Sequence, residues 1–174
     1  EAIKLFVSEK APVENIALVT FSHYITGEYP FGTTADQIAL AADSIKANGM
    51  TNMYDALVHS LGKFAKIPGE INAIILMSDG LDSYPADIAS IEEYIGGPAK
   101  EKGVTIYAIG FGGDADSSYL NTFAAVTGGA YLYADEPSAD SGTNQLGEFF
   151  SGLRAQVLNQ YEVTFKAVDT LSYV

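Results

Sequence analysis

The residues of this chain best suited to chemistry are oxygen donors at the ends of apolar runs. Asp79 follows the run Ile71-Asn72-Ala73-Ile74-Ile75-Leu76-Met77-Ser78 and precedes Gly80. An apolar run without polar alternation predicts a strand covered on both faces. A carboxylate at its carboxyl end lies where open α/β sheets place their ligand crevice, a good position for a metal ion or a polar ligand. Gly80 predicts a sharp turn free of a Cβ clash. Taken alone, Asp79 reads as a turn residue or as the cap of the next helix. Thr51 is the second donor, placed where a glycine-containing loop enters a helix. By itself it reads as the N-cap of that helix, with Asp55 one turn further on, where the helix dipole favours a carboxylate.

Other polar groups carry less. Asp82 and Ser83 either line the rim beside Asp79, adding negative potential, or serve as turn residues ahead of Pro85. Asp114 and Asp116, after Gly112-Gly113, predict a solvated loop that caps the following helix. His23 and His59 have no partner at metal-ligand spacing. The chain contains no nucleophile elbow and no phosphate-binding glycine loop. With no cysteine, it has no disulfide, thiolate metal site or cysteine nucleophile. No nucleophile can be paired with a base, so the chain is read as a non-enzyme.

Around these residues the elements alternate. A helix end over residues 1–8 is stopped by Pro12. Residues 15–22 predict a second buried strand, and 25–31 a short edge strand with its turn at Gly27 and Pro30. Ile38, Ala41, Ala42 and Ile45 recur at helical spacing, as do Met53, Leu57, Leu61 and Phe64. After the strand at 71–78, Ile88, Ile91 and Ile95 mark a helix that Gly96-Gly97-Pro98 interrupts. Residues 104–111 and 130–134 are further strands, with a small helix carrying Leu120, Phe123 and Ala124 between them. Residues 135–143 read as an exposed loop, Leu146, Phe149, Phe150, Leu153 and Val157 as a helix stripe, and 161–168 as a half-exposed strand. Strands alternating with helices predict an α/β fold: a doubly wound, mostly parallel sheet with helices on both faces.

Length and charge set the outer bounds. At 174 residues the chain makes one domain able to bury a substantial core, and 48% hydrophobic with 18% charged residues is globular composition. A net charge of −13 argues against nucleic acid or an anionic membrane as a partner, and suits cations or basic partners. No run approaches the ~18 apolar residues of a membrane span, and no signal peptide is visible. Glu1 is not a start methionine, so the chain is expected to begin inside a longer protein or after processing.

The motifs gain meaning from their order. A loop Gly-x-Thr-Asn-x-x-Asp-Ala-Leu (residues 49–57) comes first, then the strand ending Ser-Asp-Gly (78–80). Tyr-Ala-Ile-Gly-Phe-Gly (107–112) and Thr-Gly-Gly-Ala-Tyr (127–131) follow. In this order the chain resembles the von Willebrand factor A-type domain over residues 1–167, with 168–174 as the start of a following segment or linker. The resemblance implies a Rossmann-like sheet with a metal-ion-dependent adhesion site at its top edge. Three loops build that site: an Asp-x-Ser-x-Ser, a Thr corresponding to Thr51, and an Asp corresponding to Asp79. Oxygen donors in roughly octahedral array suit Mg²⁺, or Ca²⁺ or Mn²⁺, with a position left for an acidic residue of a protein ligand.

The chain departs from the pattern at one point. Asp-x-Ser-x-Ser does not occur; the nearest string, Asp169-Thr170-Leu171-Ser172-Tyr173, has Leu171 and Tyr173 where the serines belong. In the family that motif ends a central strand, between the strands here at 15–22 and 71–78. A slot beside residues 71–78 is therefore expected, filled from upstream sequence or another chain, and the metal is expected only when that loop is supplied. The resemblance implies a protein-binding or adhesion module, extracellular or on a cell surface. The alternative is a cytoplasmic accessory subunit of a chelatase- or ATPase-type assembly. The strand at 161–168 favours the first, because secreted and surface members continue past this fold.

Overall fold

The computed structural model describes residues 2–8, 14–46, 49–134 and 142–158. In chain order the elements are α1 (Ala2–Ser8), β1 (Leu18–Phe21), β2 (Ile25–Tyr29), α2 (Ala35–Ser44), α3 (Met53–Leu61) and β3 (Asn72–Ser78). They continue with α4 (Ile88–Ile91), a π-helical turn (Glu92–Gly96), α5 (Gly97–Lys102), β4 (Val104–Phe111), α6 (Ser117–Ala125), β5 (Tyr131–Ala134) and α7 (Gly142–Leu158). The strand anticipated at 161–168, and most of the loop at 135–143, lie outside the described residues; Thr143 belongs to α7.

The expected α/β architecture is present. β3, β4 and β5 form a parallel sheet in that order, with Asn72 opposite Val104 and Ser78 opposite Gly110. Side chains alternate along the strands, so successive residues feed two cores. Ile106 and Ala108 of β4 join Leu76 of β3 against Met53, Leu57 and Leu61 of α3, Ile91, Ile95 and Ala99, and Leu120 and Phe123 of α6. On the opposite face Ile109 and Ala134 pack with Leu146 and Phe150 of α7, flanked by Leu5 and Phe6 of α1 and by Ile75 and Met77. Arg154 of α7 ties this face together: its guanidinium lies 4.4 Å from the Phe6 ring centroid and 2.9 Å from Glu14.

Two expectations change. The segment 88–102 stays helical through Gly96-Gly97-Pro98. The Gly97 N–H bonds to the Glu92 carbonyl, the wider step of a π turn, which accommodates Pro98, a residue with no N–H and a bulky ring. Gly103, at φ +65°, then closes the helix in the left-handed conformation. The second change concerns β3. Burial on both faces is found for residues 106–110 of β4 but not for β3, where Ile74 and Ile75 are only half-buried, nor for β1, which is half-buried along its whole length.

The reason lies in the pairing. β1 and β2 form a separate antiparallel hairpin, with Leu18 opposite Tyr29. Among the described residues β3 pairs with β4 alone, so the strands β1 and β3 do not pair with each other. One edge of β3 thus carries backbone groups that the sheet does not satisfy.

Candidate site at the carboxyl edge of the sheet

Because β3 and β4 run parallel and in register, the loops that leave them emerge on one edge. Asp79 is the first residue past β3, and its carboxylate is exposed. Thr51 reaches the same edge from the other side. A Cβ placed on Gly80 would lie 3.7 Å from the Thr51 hydroxyl oxygen, so that hydroxyl faces the backbone next to Asp79. This is ordinary contact and Gly80 is not in the left-handed region, so the turn after β3 does not require a glycine, contrary to the sequence expectation.

The backbone around Thr51 is pinned residue by residue. The Thr51 N–H donates to Ser83 Oγ at 3.2 Å, and the Ser83 N–H returns a bond to the Thr51 carbonyl at 2.8 Å. The Asn52 N–H donates to the Ser22 carbonyl, just past β1, at 2.9 Å. The Met53 N–H donates to Asp82 Oδ2 at 2.9 Å. Consecutive amides thus tie the start of α3 to the loop after β3 and to the end of β1.

Thr51 is not the N-cap that its residue type suggests. Asn52 takes that position: its side-chain oxygen accepts the Asp55 N–H at 3.1 Å, and its amide donates to the Asp55 carboxylate at 2.8 Å. Thr and Asn are both favoured caps, so their order in the loop could not be settled locally. Capping by Asn52 leaves the Thr51 hydroxyl with no partner among the described residues.

Asp82 and Ser83 divide. Ser83 is exposed and bonded to Thr51, whereas Asp82 is only 9% accessible and points inward. Besides Met53, it accepts the Tyr84 N–H at 2.7 Å on its other oxygen, so both oxygens hold backbone. The turn role weighed for this residue is present, together with a long-range one that spacing could not reveal. Further along the same loop the Ala86 N–H donates to the Tyr119 phenol at 2.7 Å, and burial pushes that phenol up to about 12. Asp116 caps α6 through the Tyr119 N–H, as anticipated.

The exposed Asp79 carboxylate and the unpartnered Thr51 hydroxyl are hard oxygen donors, suited in kind to a hard divalent cation. In number they are only part of a coordination sphere, and among the described residues no three His, Cys, Asp or Glu lie close enough to hold an ion. Met50, Leu81 and Tyr84 form an exposed apolar border beside them, with the Tyr84 hydroxyl 3.2 Å from the Met50 sulfur. His59 stands elsewhere, paired with Glu28 at 2.8 Å; His23 stacks edge-on against Tyr24 and lies against Gly49, at the start of the Thr51 loop.

The family model described as von Willebrand factor type A domain matches residues 2–148. The Escherichia coli protein YfbK, described as uncharacterized, is 31% identical over 139 residues, covering 77% of this chain and 24% of YfbK. The chain thus spans about a quarter of that relative's length. BatB from Bacteroides thetaiotaomicron superposes with a TM-score of 0.65 at 17% identity, covering 88% of this chain and 85% of BatB. Proximal thread matrix protein 1 from the mussel byssus, with its metal-ion-dependent adhesion motif occupied by zinc, gives 0.61 at 18% identity, over 87% of this chain and 41% of its own. At these identities the structural likenesses show the fold alone.

Proposed function

The chain belongs to the von Willebrand factor type A family, and from that premise we propose that it is a protein-binding module of a surface or secreted protein. The observation that carries this reading is the pairing of an exposed carboxylate, Asp79, with a hydroxyl left free of any cap, Thr51, at the carboxyl edge of the parallel sheet. A divalent cation there, Mg²⁺ foremost, would polarise an acidic side chain of the partner, provided a further loop supplied the remaining oxygens. Thr51 and Asp79 are its proposed protein ligands. Ser83 stands on the rim, and Asp82 supports it from within. Met50, Leu81 and Tyr84 would give the partner apolar contact around the polar centre.

The experiment uses the full-length protein and an array of peptides that each carry one Asp or Glu. Capture in Mg²⁺ that disappears in EDTA and in Asp79→Ala, with unchanged circular dichroism, is the expected result. Equal capture with and without EDTA would overturn the metal-dependent reading.

A further inference from the structure

We propose that Asp82 is the positioning residue of this edge, acting through Thr51: it locks the Thr51 loop onto the loop of Asp79, so the two donors are set as one unit. This inference rests on the reading of Thr51 and Asp79 as the ligands of a divalent cation.

A buried carboxylate is costly unless its oxygens are satisfied. Asp82 is satisfied, but not by a cation. Oδ2 accepts the Met53 N–H at 2.9 Å and Oδ1 accepts the Tyr84 N–H at 2.7 Å. One bond is local. The other reaches the first residue of α3, where the helix N-terminus leaves N–H groups without intrahelical partners and favours negative charge. Asp82 therefore does from outside the helix what a capping side chain does from within.

The neighbours on both sides complete the clasp. Thr51, two residues before Met53, exchanges bonds with Ser83, the residue after Asp82, at 3.2 and 2.8 Å. Between them the Asn52 N–H is held by the Ser22 carbonyl at 2.9 Å. With the backbone of residues 51–53 held at each amide, the Cα and Cβ of Thr51 are set in place beside Gly80, so the hydroxyl starts from a fixed root. Charge-assisted bonds from a carboxylate to backbone N–H are about twice as strong as neutral ones. Of these contacts the Asp82 bond to Met53 is the long-range one made by a charge, so it is the one whose loss would loosen Thr51 most.

The test measures Mn²⁺ alone binding to the full-length protein, by the loss of the free-ion paramagnetic resonance signal. Asp82→Asn should weaken Mn²⁺ binding by about 10- to 100-fold, the range for groups that orient metal ligands. In a Thr51→Ala background the same substitution should add little, because it acts through that residue. Ser83→Ala, a milder change, should shift affinity in the same direction by less. Amide exchange of Thr51, Met53 and Ser83 should quicken in Asp82→Asn while Ile106 and Ile109 stay protected. An equal loss of Mn²⁺ affinity with and without Thr51 would overturn the proposal, as would unchanged exchange at Thr51 and Ser83 in Asp82→Asn. A wild-type protein that binds no Mn²⁺ would sink the metal-dependent function instead, and the exchange data would still decide the clasp.

Discussion

Thr51 and Ser83 exchange hydrogen bonds across two loops: the Thr51 N–H donates to the Ser83 side-chain Oγ at 3.2 Å, and the Ser83 N–H donates to the Thr51 carbonyl at 2.8 Å. The pairing makes the entry to α3 and the exit from β3 one piece of structure. It also separates the roles of neighbouring residues, because the backbone of Thr51 is structural while its hydroxyl is not.

Replacing Asn52 and Thr51 by alanine should therefore give different outcomes. Asn52→Ala removes the cap of α3 and should cost about 0.5–2 kcal/mol. Thr51→Ala removes no cap and should stay within about 0.5 kcal/mol of wild type, as surface changes away from such features do. Urea unfolding midpoints compare the two directly; a larger loss for Thr51→Ala than for Asn52→Ala would reverse the assignment of the cap.

Glycines at two strand ends should also diverge. A Cβ on Gly129 would collide with the Ile106 carbonyl, so Gly129→Ala forces backbone apart where β5 meets β4 and should cost at least about 1–3 kcal/mol. Gly80→Ala meets only the Thr51 hydroxyl at 3.7 Å and should leave the fold intact. Thermal unfolding of both variants checks this, and a well-folded Gly129→Ala protein would contradict the close approach.

Glu28 makes the hairpin sensitive to acid. Its carboxyl is held below the ordinary value of 4.5, first by the hydrogen bond from Lys63 at 2.7 Å and then by His59. A carboxylate whose folded pKa is depressed contributes stability above its unfolded pKa and loses it as pH falls through the folded one. The difference in unfolding midpoint between wild type and Glu28→Gln should thus be present above about pH 5 and shrink toward pH 3. Because the group is exposed, added salt should also reduce it. A difference that persists unchanged at pH 3 would exclude the ion pair as its source.

Local sequence was enough for the order of helices and strands, for the buried strand at 104–111 and for the placement of Asp79 at a strand's carboxyl end. Periodicity, strand propensity and turn residues act over a few neighbours, so these features are written where they occur. The order of the loop motifs along the chain was likewise readable, and the match to the family model over residues 2–148 agrees with the family they pointed to. Other features depended on residues far apart in the chain. Asp82 faces inward because Met53, 29 positions earlier, offers it a free helix N–H. Asn52 rather than Thr51 caps α3 within a loop whose backbone is taken by Ser22 and Ser83. The helix runs through Pro98 because Ile91, Ile95 and Ala99 bury a common face that outweighs the local break. Ile74 and Ile75 of β3 remain half-buried because sheet pairing, unlike strand propensity, is decided by which segments lie alongside in space.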